Sequence, residues 1–413
     1  MRVQKCKGSH DLSPEEMRRF RFIEGTFRDC CLKAGYDEVR TPTIEYLYLF
    51  TATGTLTPGR LGRVYSFLDW DGWSGERVVL RPDGTIPAAR FYIDCMEEKK
   101  LARLFYIANV FIFEETGTKT REQWQCGAEL IGTGSALADV ELITLAQEIL
   151  SKLQFDSVVL RLSHVGLIRA LLEELGLSRA EQIKIFDQLM DGDTEALARI
   201  KPRRPELGRA LSSLLDLKGK SAGFLQNFKA LFSRELPKLE PHIDDLINIA
   251  SLLDASGCDY QIDIASGTGF EYYTGMTFQL FLGDDKVGGG GRYDALIPLM
   301  GGGSTPASGF ALYFDQMMSR LPPLTQDTPL AGRILVTIDP GEPEAVKQGF
   351  AAISRLREAG YVAQINLGAL AEADFTWTLE VRAPLLVLTD QTRQRTVQLQ
   401  TINEVLEFLS RTA

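Results

Sequence analysis

The segment RLFYIANVFIFE at residues 103–114 and the segment REQWQCGAELIG at residues 121–132 decide the fold. The first is apolar and aromatic, and the second mixes apolar with regularly spaced polar residues, which predicts two strands. The polar stretch ETGTKT at 115–120 lies between them and predicts a hairpin turn. Because side chains alternate between the faces of a strand, Gln125 and Glu129 are expected on one face of the second strand.

The residues that precede this hairpin predict a helix and two further strands. Ser13 and Glu16 form a capping box with a proline in the first turn, so a helix is expected from there to about residue 32. Pro42 interrupts the segment EVRTPTIEY at 38–46, which predicts an edge strand or a bent strand. The segment RVVLRPDGT at 77–85 predicts a strand that leads into a helix.

The residues that follow the hairpin predict a change of domain. Residues 165–257 are almost entirely helical in pattern, and a further helix is expected from about Phe310 to Leu321. The Pro- and Thr-rich stretch 322–331 predicts a linker. Strands then alternate with helices over 332–413, which predicts a small α/β domain. The sequence therefore predicts an α+β core at 1–321, with a helical insertion at about 165–257, followed by a separate C-terminal domain.

The composition argues against several classes of function. The chain has 413 residues, with 45 basic and 55 acidic side chains and a net charge of -10. Such a chain has no overall positive field to attract nucleic acid. It contains no apolar run of about eighteen residues, so no membrane-spanning segment is expected. Its N-terminus lacks the apolar centre of a secretory signal, so none is expected.

The cysteine and histidine spacings predict neither disulfides nor a metal site. The six cysteines include no C-x-x-C pair, and they are expected to be free buried thiols in a reducing cytosol. The three histidines, His10, His164 and His242, lie far apart and form no zinc-binding pattern. No metal and no cofactor are predicted.

Two glycine runs, at 288–291 and 301–303, are candidate phosphate-binding loops. Neither run matches the dinucleotide-binding pattern or the P-loop pattern. The alternative is that they form tight turns between strands, where glycine lets two backbones approach closely.

Acidic and hydroxyl side chains are better candidates for a ligand site. Asp83 and Thr85 lie at a strand-to-helix turn, and Glu114 lies on the strand that precedes Gln125 and Glu129. Carboxylates that converge on a sheet face are costly to bury unless they meet a cation or a ligand amine. The alternative is a structural network in which these acids pair with arginines, namely Arg81, Arg121 and Arg292.

These segments together resemble the histidyl-tRNA synthetase family of class II aminoacyl-tRNA synthetases. AGYDEVRTPTIEY at 34–46 resembles motif 1, the dimerisation motif, and FIFEETGTKTREQWQCGAELIG at 111–132 resembles motif 2. GTGFEYYTGMTF at 267–278 resembles the histidine-specific segment, and the glycine-rich segments within 288–317 resemble motif 3. The resemblance implies a class II aminoacyl-tRNA synthetase-like antiparallel sheet with helices. It also implies a C-terminal domain similar to an anticodon-binding domain.

The resemblance also implies a histidine pocket. Carboxylates suit an α-ammonium group, and an acid or a tyrosine hydroxyl suits an imidazole N–H. The matching positions in this sequence are Asp83, Thr85, Gln125, Glu129, Tyr272 and Tyr273. The alternative for the two tyrosines is that they fill the core.

Three positions depart from the synthetase pattern. The family's arginines that bind ATP and the amino-acid carboxylate are replaced by Ile112, Thr268 and Gln316. Fixed cations stabilise the charge that grows on the α-phosphate, and the loss of one such donor typically costs about 10²–10³ in rate. The chain is therefore expected not to activate an amino acid.

A synthetase-like chain without these arginines resembles the regulatory subunits of ATP phosphoribosyltransferase. That resemblance implies a non-catalytic, cytoplasmic homodimer that pairs with a short-form ATP phosphoribosyltransferase catalytic subunit in a hetero-octamer. The complex would carry out the first step of histidine biosynthesis, with the catalytic residues on the partner.

Two alternatives for the function stay open. One is a divergent histidyl-tRNA synthetase or related ligase, and the other is a free amino-acid-binding module. No specific tRNA binding is expected, because residues 332–413 hold eight basic against ten acidic side chains.

Overall fold

The computed structural model describes residues 4–56, 61–69, 75–112, 121–190, 193, 195–200, 205–215, 221–232, 236–264, 272–322, 331–368 and 375–412. The chain divides into two compact units, Met1–Pro322 and Pro323–Ala413. Outside the described residues lie Glu114, Thr268, the turn expected at 115–120 and most of the linker expected at 322–331.

The first unit is built on a large mixed sheet. Its strands are β1 (Asp37–Glu38), β2 (Ile44–Tyr46), β3 (Ser66–Leu68), β4 (Arg77–Leu80), β5 (Ala102–Phe111), β6 (Glu122–Ile131), β7 (Val158–His164), β8 (Gln261–Ile262), β9 (Met276–Leu282), β10 (Asp285–Arg292) and β11 (Ala307–Tyr313). Eight of them form one sheet in the order β1-β5-β6-β11-β10-β9-β7-β8, and the other three form a small sheet in the order β2-β4-β3. The two outermost pairs of the large sheet, β1 with β5 and β7 with β8, are parallel, and the inner pairs are antiparallel. The expected antiparallel architecture is confirmed in this inner part.

Eleven described α-helices accompany these strands. They are α1 (Pro14–Lys33), α2 (Leu47–Ala52), α3 (Thr85–Met96), α4 (Ala136–Lys152), α5 (Val165–Glu174), α6 (Arg179–Met190), α7 (Pro205–Leu215), α8 (Ala222–Phe232), α9 (Glu240–Ser256), α10 (Leu296–Leu299) and α11 (Phe314–Arg320). Helices α5 to α9 fill the stretch between β7 and β8, where the sequence predicts an insertion.

Helix α1 begins where the capping box predicts. The Ser13 side chain accepts a hydrogen bond from the Glu16 backbone N–H, and Glu16 Oε2 accepts one from the Ser13 N–H at 2.8 Å. The helix buries Phe20, Ile23 and Phe27, and Phe27 packs edge-on against Phe310 of the sheet at 6.3 Å between ring centroids. Burial of such side chains contributes about 1.5–3 kcal/mol each, so tertiary packing anchors this helix.

The strand expected at 38–46 is divided between two sheets. Residues Asp37–Glu38 pair with β5 of the large sheet, whereas Ile44–Tyr46 pair with β4 of the small sheet. Pro42 lies between the two pieces and lacks an N–H for a ladder, which explains why neither piece continues through it.

The helix expected from Phe310 is wrong over its first four residues. Residues Ala307–Tyr313 form β11, which pairs with both β6 and β10, and the helix begins at Phe314. Tertiary pairing overrides the local pattern here. Gly309 lies opposite Glu129, and a Cβ at Gly309 would clash with the Glu129 carboxylate.

The expected tight turn at 288–291 is also wrong, because all four glycines lie inside β10. A Cβ at Gly289 would lie 2.7 Å from the Phe278 carbonyl oxygen of the neighbouring strand. The glycines therefore allow neighbouring strands to approach closely, which is the role that the sequence analysis gives them.

The second unit is a small α/β structure. Its elements are β12 (Ala331–Ile338), α12 (Pro343–Glu358), β13 (Tyr361–Ile365), β14 (Trp377–Arg382), β15 (Leu385–Asp390), β16 (Arg395–Leu399) and α13 (Ile402–Thr412). The strands form one sheet in the order β13-β12-β14-β15-β16, with β15 and β16 antiparallel to their neighbours. Both helices contribute to a core that contains Ile353, Leu379 and Leu409.

The cysteines are free, but they are not all buried as expected. Cys30, Cys31 and Cys126 are buried, whereas Cys6 and Cys95 are exposed and Cys258 is half-buried. The expectation of six buried thiols is therefore wrong.

Candidate ligand pocket

A partly open cavity lies against one face of the large sheet. Its empty volume, open mouth included, is about 460 Å³. Small residues on β10 and β11 provide the space, because Gly289, Gly290, Gly309 and Ala311 all line it. The glycines of the motif 3-like segment therefore form part of the floor of a pocket.

The structure brings most of the expected histidine-pocket residues together. Asp83, Thr85, Gln125, Tyr272 and Tyr273 line the cavity. Glu129 does not line it directly. It is buried beside Gly309, a lining residue with which it is paired in register.

Asp83 is held at the entrance to helix α3. Its Oδ1 accepts a hydrogen bond from the Ile86 backbone N–H at 2.9 Å, and its Oδ2 accepts one from the Tyr272 hydroxyl at 3.2 Å. Burial raises the pKa of Asp83 to about 6, although both hydrogen bonds oppose the rise. The two bonds fix the side chain, and the cost of burying its charge remains.

Glu129 is the most perturbed acid of the group. Burial raises its pKa to about 8, and the nearby charge of Asp83 adds to the rise, while hydroxyls of Tyr293, Thr85 and Tyr106 oppose it. The Tyr293 hydroxyl donates to Oε2, and Oε1 has no hydrogen-bond partner of good geometry within the described ranges. A carboxyl group in this state is protonated near neutral pH and can donate a hydrogen bond.

Tyrosine rings form the wall beside these acids. The Tyr272 ring centroid lies 5.1 Å from that of Tyr273 and 5.6 Å from that of Tyr293. Tyr106 lies behind them and contacts the Thr85 hydroxyl at 3.5 Å. A Cβ at Gly84 would clash with the Tyr106 ring, so this glycine keeps Asp83 and Tyr106 close to each other.

The arginines offered as alternative partners of the acids are engaged elsewhere. Arg81 donates to the Asn109 carbonyl oxygen at 2.7 Å and to the Thr41 carbonyl oxygen at 2.9 Å. Arg292 Nη2 donates to Asp139 at 2.7 Å. In the described part of the chain, neither arginine pairs with a pocket acid, so the structural-network explanation lacks these two partners.

Two of the positions that depart from the synthetase pattern are described. Ile112 follows the end of β5 and is half-buried, and Gln316 lies in helix α11. Thr268 lies outside the described residues.

Sequence reasoning missed three residues around this site. Tyr106 could have been found, because it pairs with Gly127 and so shares a face with Gln125 and Glu129. Thr277 and Lys286 also line the cavity. Lys286 gave no such signal. Simple alternation would place Lys286 and Gly289, three residues apart, on opposite faces of β10. A bulge between Lys286 and Gly288 places them on the same face.

The described residues form neither a membrane-spanning helix nor a cluster of metal-binding side chains. None of their helices is long and apolar enough to cross a membrane. No group of three or more His, Cys, Asp or Glu side chains among them could hold a metal ion.

Comparison with known proteins places this fold and pocket in a family context. The family model described as histidyl-tRNA synthetase matches residues 8–317. An ATP phosphoribosyltransferase regulatory subunit from Dehalococcoides mccartyi is 49% identical over 409 residues, which cover 99% of this chain and 98% of the relative. A histidine–tRNA ligase from Archaeoglobus fulgidus is 34% identical over 387 residues, which cover 89% of this chain and 86% of the relative.

A solved structure shares the fold. It is described as an ATP phosphoribosyltransferase regulatory subunit/histidyl-tRNA synthetase from Bacillus halodurans. The TM-score is 0.75 at 22% identity, and the match covers 91% of this chain and 95% of that one. The class II histidyl-tRNA synthetase-like fold expected from the sequence is thereby confirmed.

Proposed function

The chain belongs to the family of ATP phosphoribosyltransferase regulatory subunits, and from that premise we propose that it is the non-catalytic partner of a short-form ATP phosphoribosyltransferase catalytic subunit. The pair would carry out the first step of histidine biosynthesis as a hetero-octamer. The catalytic residues of that reaction belong to the partner.

One observation carries the proposal that this chain performs no synthetase chemistry. The pocket keeps the side chains that suit an amino acid, with Asp83, Thr85 and Gln125 lining one cavity. At Ile112, where the synthetase pattern has an arginine, an aliphatic side chain stands instead. An α-phosphate in the transition state needs fixed donors, and a hydrocarbon provides none. The site therefore suits binding of an amino acid without its activation.

Histidine is the ligand that this pocket suits best. Asp83 is a carboxylate acceptor near neutral pH, and the Tyr273 hydroxyl, which lines the same cavity, can form a hydrogen bond with a ligand nitrogen. A histidine offers an ammonium group to the first and an imidazole nitrogen to the second. Binding of the pathway's amino acid at this site would give the regulatory subunit its signal.

A homodimer is proposed on the exposed surface of the small sheet. Ile44 is 49% exposed, Tyr46 38% and Phe67 38%, and the strand register places all three on one face of this sheet. Tyr46 and Tyr48 stack at 5.6 Å and broaden this surface. It includes the motif 1-like segment, and a two-fold interface needs one self-complementary patch of this kind.

Reconstitution with the partner tests the function. A short-form catalytic subunit is purified alone, with this chain, and with an intact histidyl-tRNA synthetase as the control. Pyrophosphate release from phosphoribosyl pyrophosphate and ATP is expected only with this chain, and light scattering is expected to show a complex larger than either component. Equal rates in all three mixtures, with no larger complex, would contradict the proposal.

A further inference from the structure

We propose that Lys286 binds the carboxylate of the amino-acid ligand, an inference that rests on the proposed histidine site and deepens it. The motif 2-like and histidine-specific segments lack cations for that carboxylate, because they carry Ile112 and Thr268 at the family's arginine positions. The structure offers a cation from a different strand.

The backbone of β10 directs Lys286 onto the pocket face. Lys286 pairs with Phe281 of β9, and the register shifts before Gly288. This bulge places Lys286 on the same face as Gly289, although the two are three residues apart. Lys286 lines the cavity together with Asp83 and Gln125.

The lysine side chain packs over Gly289. An ideal Cβ on Gly289 would lie 3.5 Å from Lys286 Cε, so the aliphatic stem of the lysine lies over a position that has no side chain of its own. Lys286 is half-buried, so its aliphatic stem covers the sheet and its ammonium group lies at the polar tip of the side chain.

No acid neutralises this ammonium group within the described ranges. The adjacent Asp285 is instead paired with Arg320, whose Nε donates to it at 2.8 Å. Lys286 is also the one lysine or arginine among the described residues that line the cavity. Within that part of the chain, its three N–H donors are available to a ligand.

A second donor supports an anionic ligand group on this side of the pocket. The Thr277 side chain lines the cavity on β9, and its buried hydroxyl has no hydrogen-bond partner in the part of the chain that the structure describes. An unpaired buried hydroxyl is costly, and a ligand oxygen would satisfy it. Because Asp83 and Lys286 line the same cavity, the pocket offers a carboxylate and an ammonium group and complements a zwitterion.

The test compares two ligands that differ at the carboxylate. L-histidine and L-histidinol share the imidazole and the ammonium group, but histidinol has an alcohol in place of the carboxylate. Both are titrated by calorimetry into the full-length chain, into Lys286→Met and Lys286→Arg, and into Lys99→Met as a control. Lys99 is an exposed lysine outside the cavity.

The inference predicts a selective loss. Lys286→Met should weaken histidine binding by about tenfold or more, as expected for a charge-assisted hydrogen bond, and leave histidinol binding unchanged. Lys286→Arg should retain most of the histidine affinity, and Lys99→Met should match the wild type. Circular dichroism melts of each variant establish that the comparison is made on folded protein.

Three outcomes would overturn the inference. They are an unchanged histidine affinity in Lys286→Met, an equal loss for histidine and histidinol, and a loss of histidine affinity in Lys99→Met equal to that in Lys286→Met. Absence of histidine binding to the wild-type chain would overturn it as well. The reconstituted transferase activity is measured separately, so that failure of the Lys286 assignment is distinguished from failure of the regulatory-subunit proposal.

Discussion

Replacement of Glu129 by glutamine should make the stability of the first unit less sensitive to pH. Glu129 is buried, and burial raises its pKa from the ordinary 4.5 to about 8. Glutamine has nearly the same shape, and its amide oxygen can accept the hydrogen bond that the Tyr293 hydroxyl donates. The substitution therefore removes the titration while it keeps the packing.

The direction of the pH effect on stability follows from the number of protons that the folded and unfolded states bind. Between pH 4.5 and about 8 the folded state keeps the Glu129 proton, whereas the unfolded state has released it. The free energy of unfolding therefore falls as pH rises through this window, by up to about 1.4 kcal/mol per pH unit. From pH 6 to pH 8 the wild type should lose roughly 2 kcal/mol more than Glu129→Gln.

The interval from pH 6 to pH 8 separates the titration of Glu129 from the titrations of neighbouring acids. Burial also raises the pKa values of Asp83 and Asp139, in each case to about 6, so their contributions are complete at lower pH. Whatever they add is also common to both proteins, so it cancels in the difference. The exposed Glu98 supplies the matched control, since Glu98→Gln removes a carboxylate that is not buried.

Scanning calorimetry at intervals from pH 5 to pH 9 measures the effect on the transition of the first unit. Glu98→Gln should follow the wild type, and Glu129→Gln should give a flatter curve above pH 6. If Glu129→Gln and the wild type lose stability in parallel between pH 6 and pH 8, the buried acid does not hold its proton and the electrostatic account of the pocket fails.

Two further predictions concern assembly and chemistry. Light scattering should show a dimer for the wild type and a monomer for Tyr48→Glu, which places a charge in helix α2 beside Tyr46 of the small sheet. Leu137→Glu, at an exposed position on helix α4, should stay dimeric. The chain should show no histidine-dependent ATP–pyrophosphate exchange, because Ile112 and Gln316 provide no cation for the α-phosphate. Exchange at a rate typical of enzymes, on the order of 1–10³ s⁻¹, would contradict this prediction.

Much of the fold follows from local signals in the sequence. The capping box at Ser13 marks the start of α1, and the hairpin of β5 and β6 follows from apolar content and alternation. Alternation also places Gln125 and Glu129 on one face, as the register of β6 shows. These features depend on residues a few positions apart, and for that reason one sequence is enough to predict them.

Features that depend on residues distant in sequence were harder to predict. Residues 310–313 of β11 were expected to be helical, because strand pairing with β6 and β10 is invisible in the local pattern. Strand β14 was not predicted, although Trp377 and Leu379 alternate in it. The hydrogen bond from Tyr272 to Asp83 joins residues 189 positions apart, and no spacing within either segment indicates it.

The charges of the pocket connect these observations to function. The acids are present and hydrogen-bonded, yet the pKa values of Asp83 and Glu129 are both raised, because no arginine offsets the cost of burying them. An arginine at position 112 or 268 would have provided positive charge for both a phosphate and a carboxylate. Without it, a site of this kind keeps its preference for a ligand amine and loses the means to stabilise a phosphoryl transition state. A cation from β10 that lines the same cavity would restore carboxylate binding without restoring catalysis. Recognition of an amino acid can therefore persist in this fold after activation is lost, which is the combination that a regulatory subunit requires.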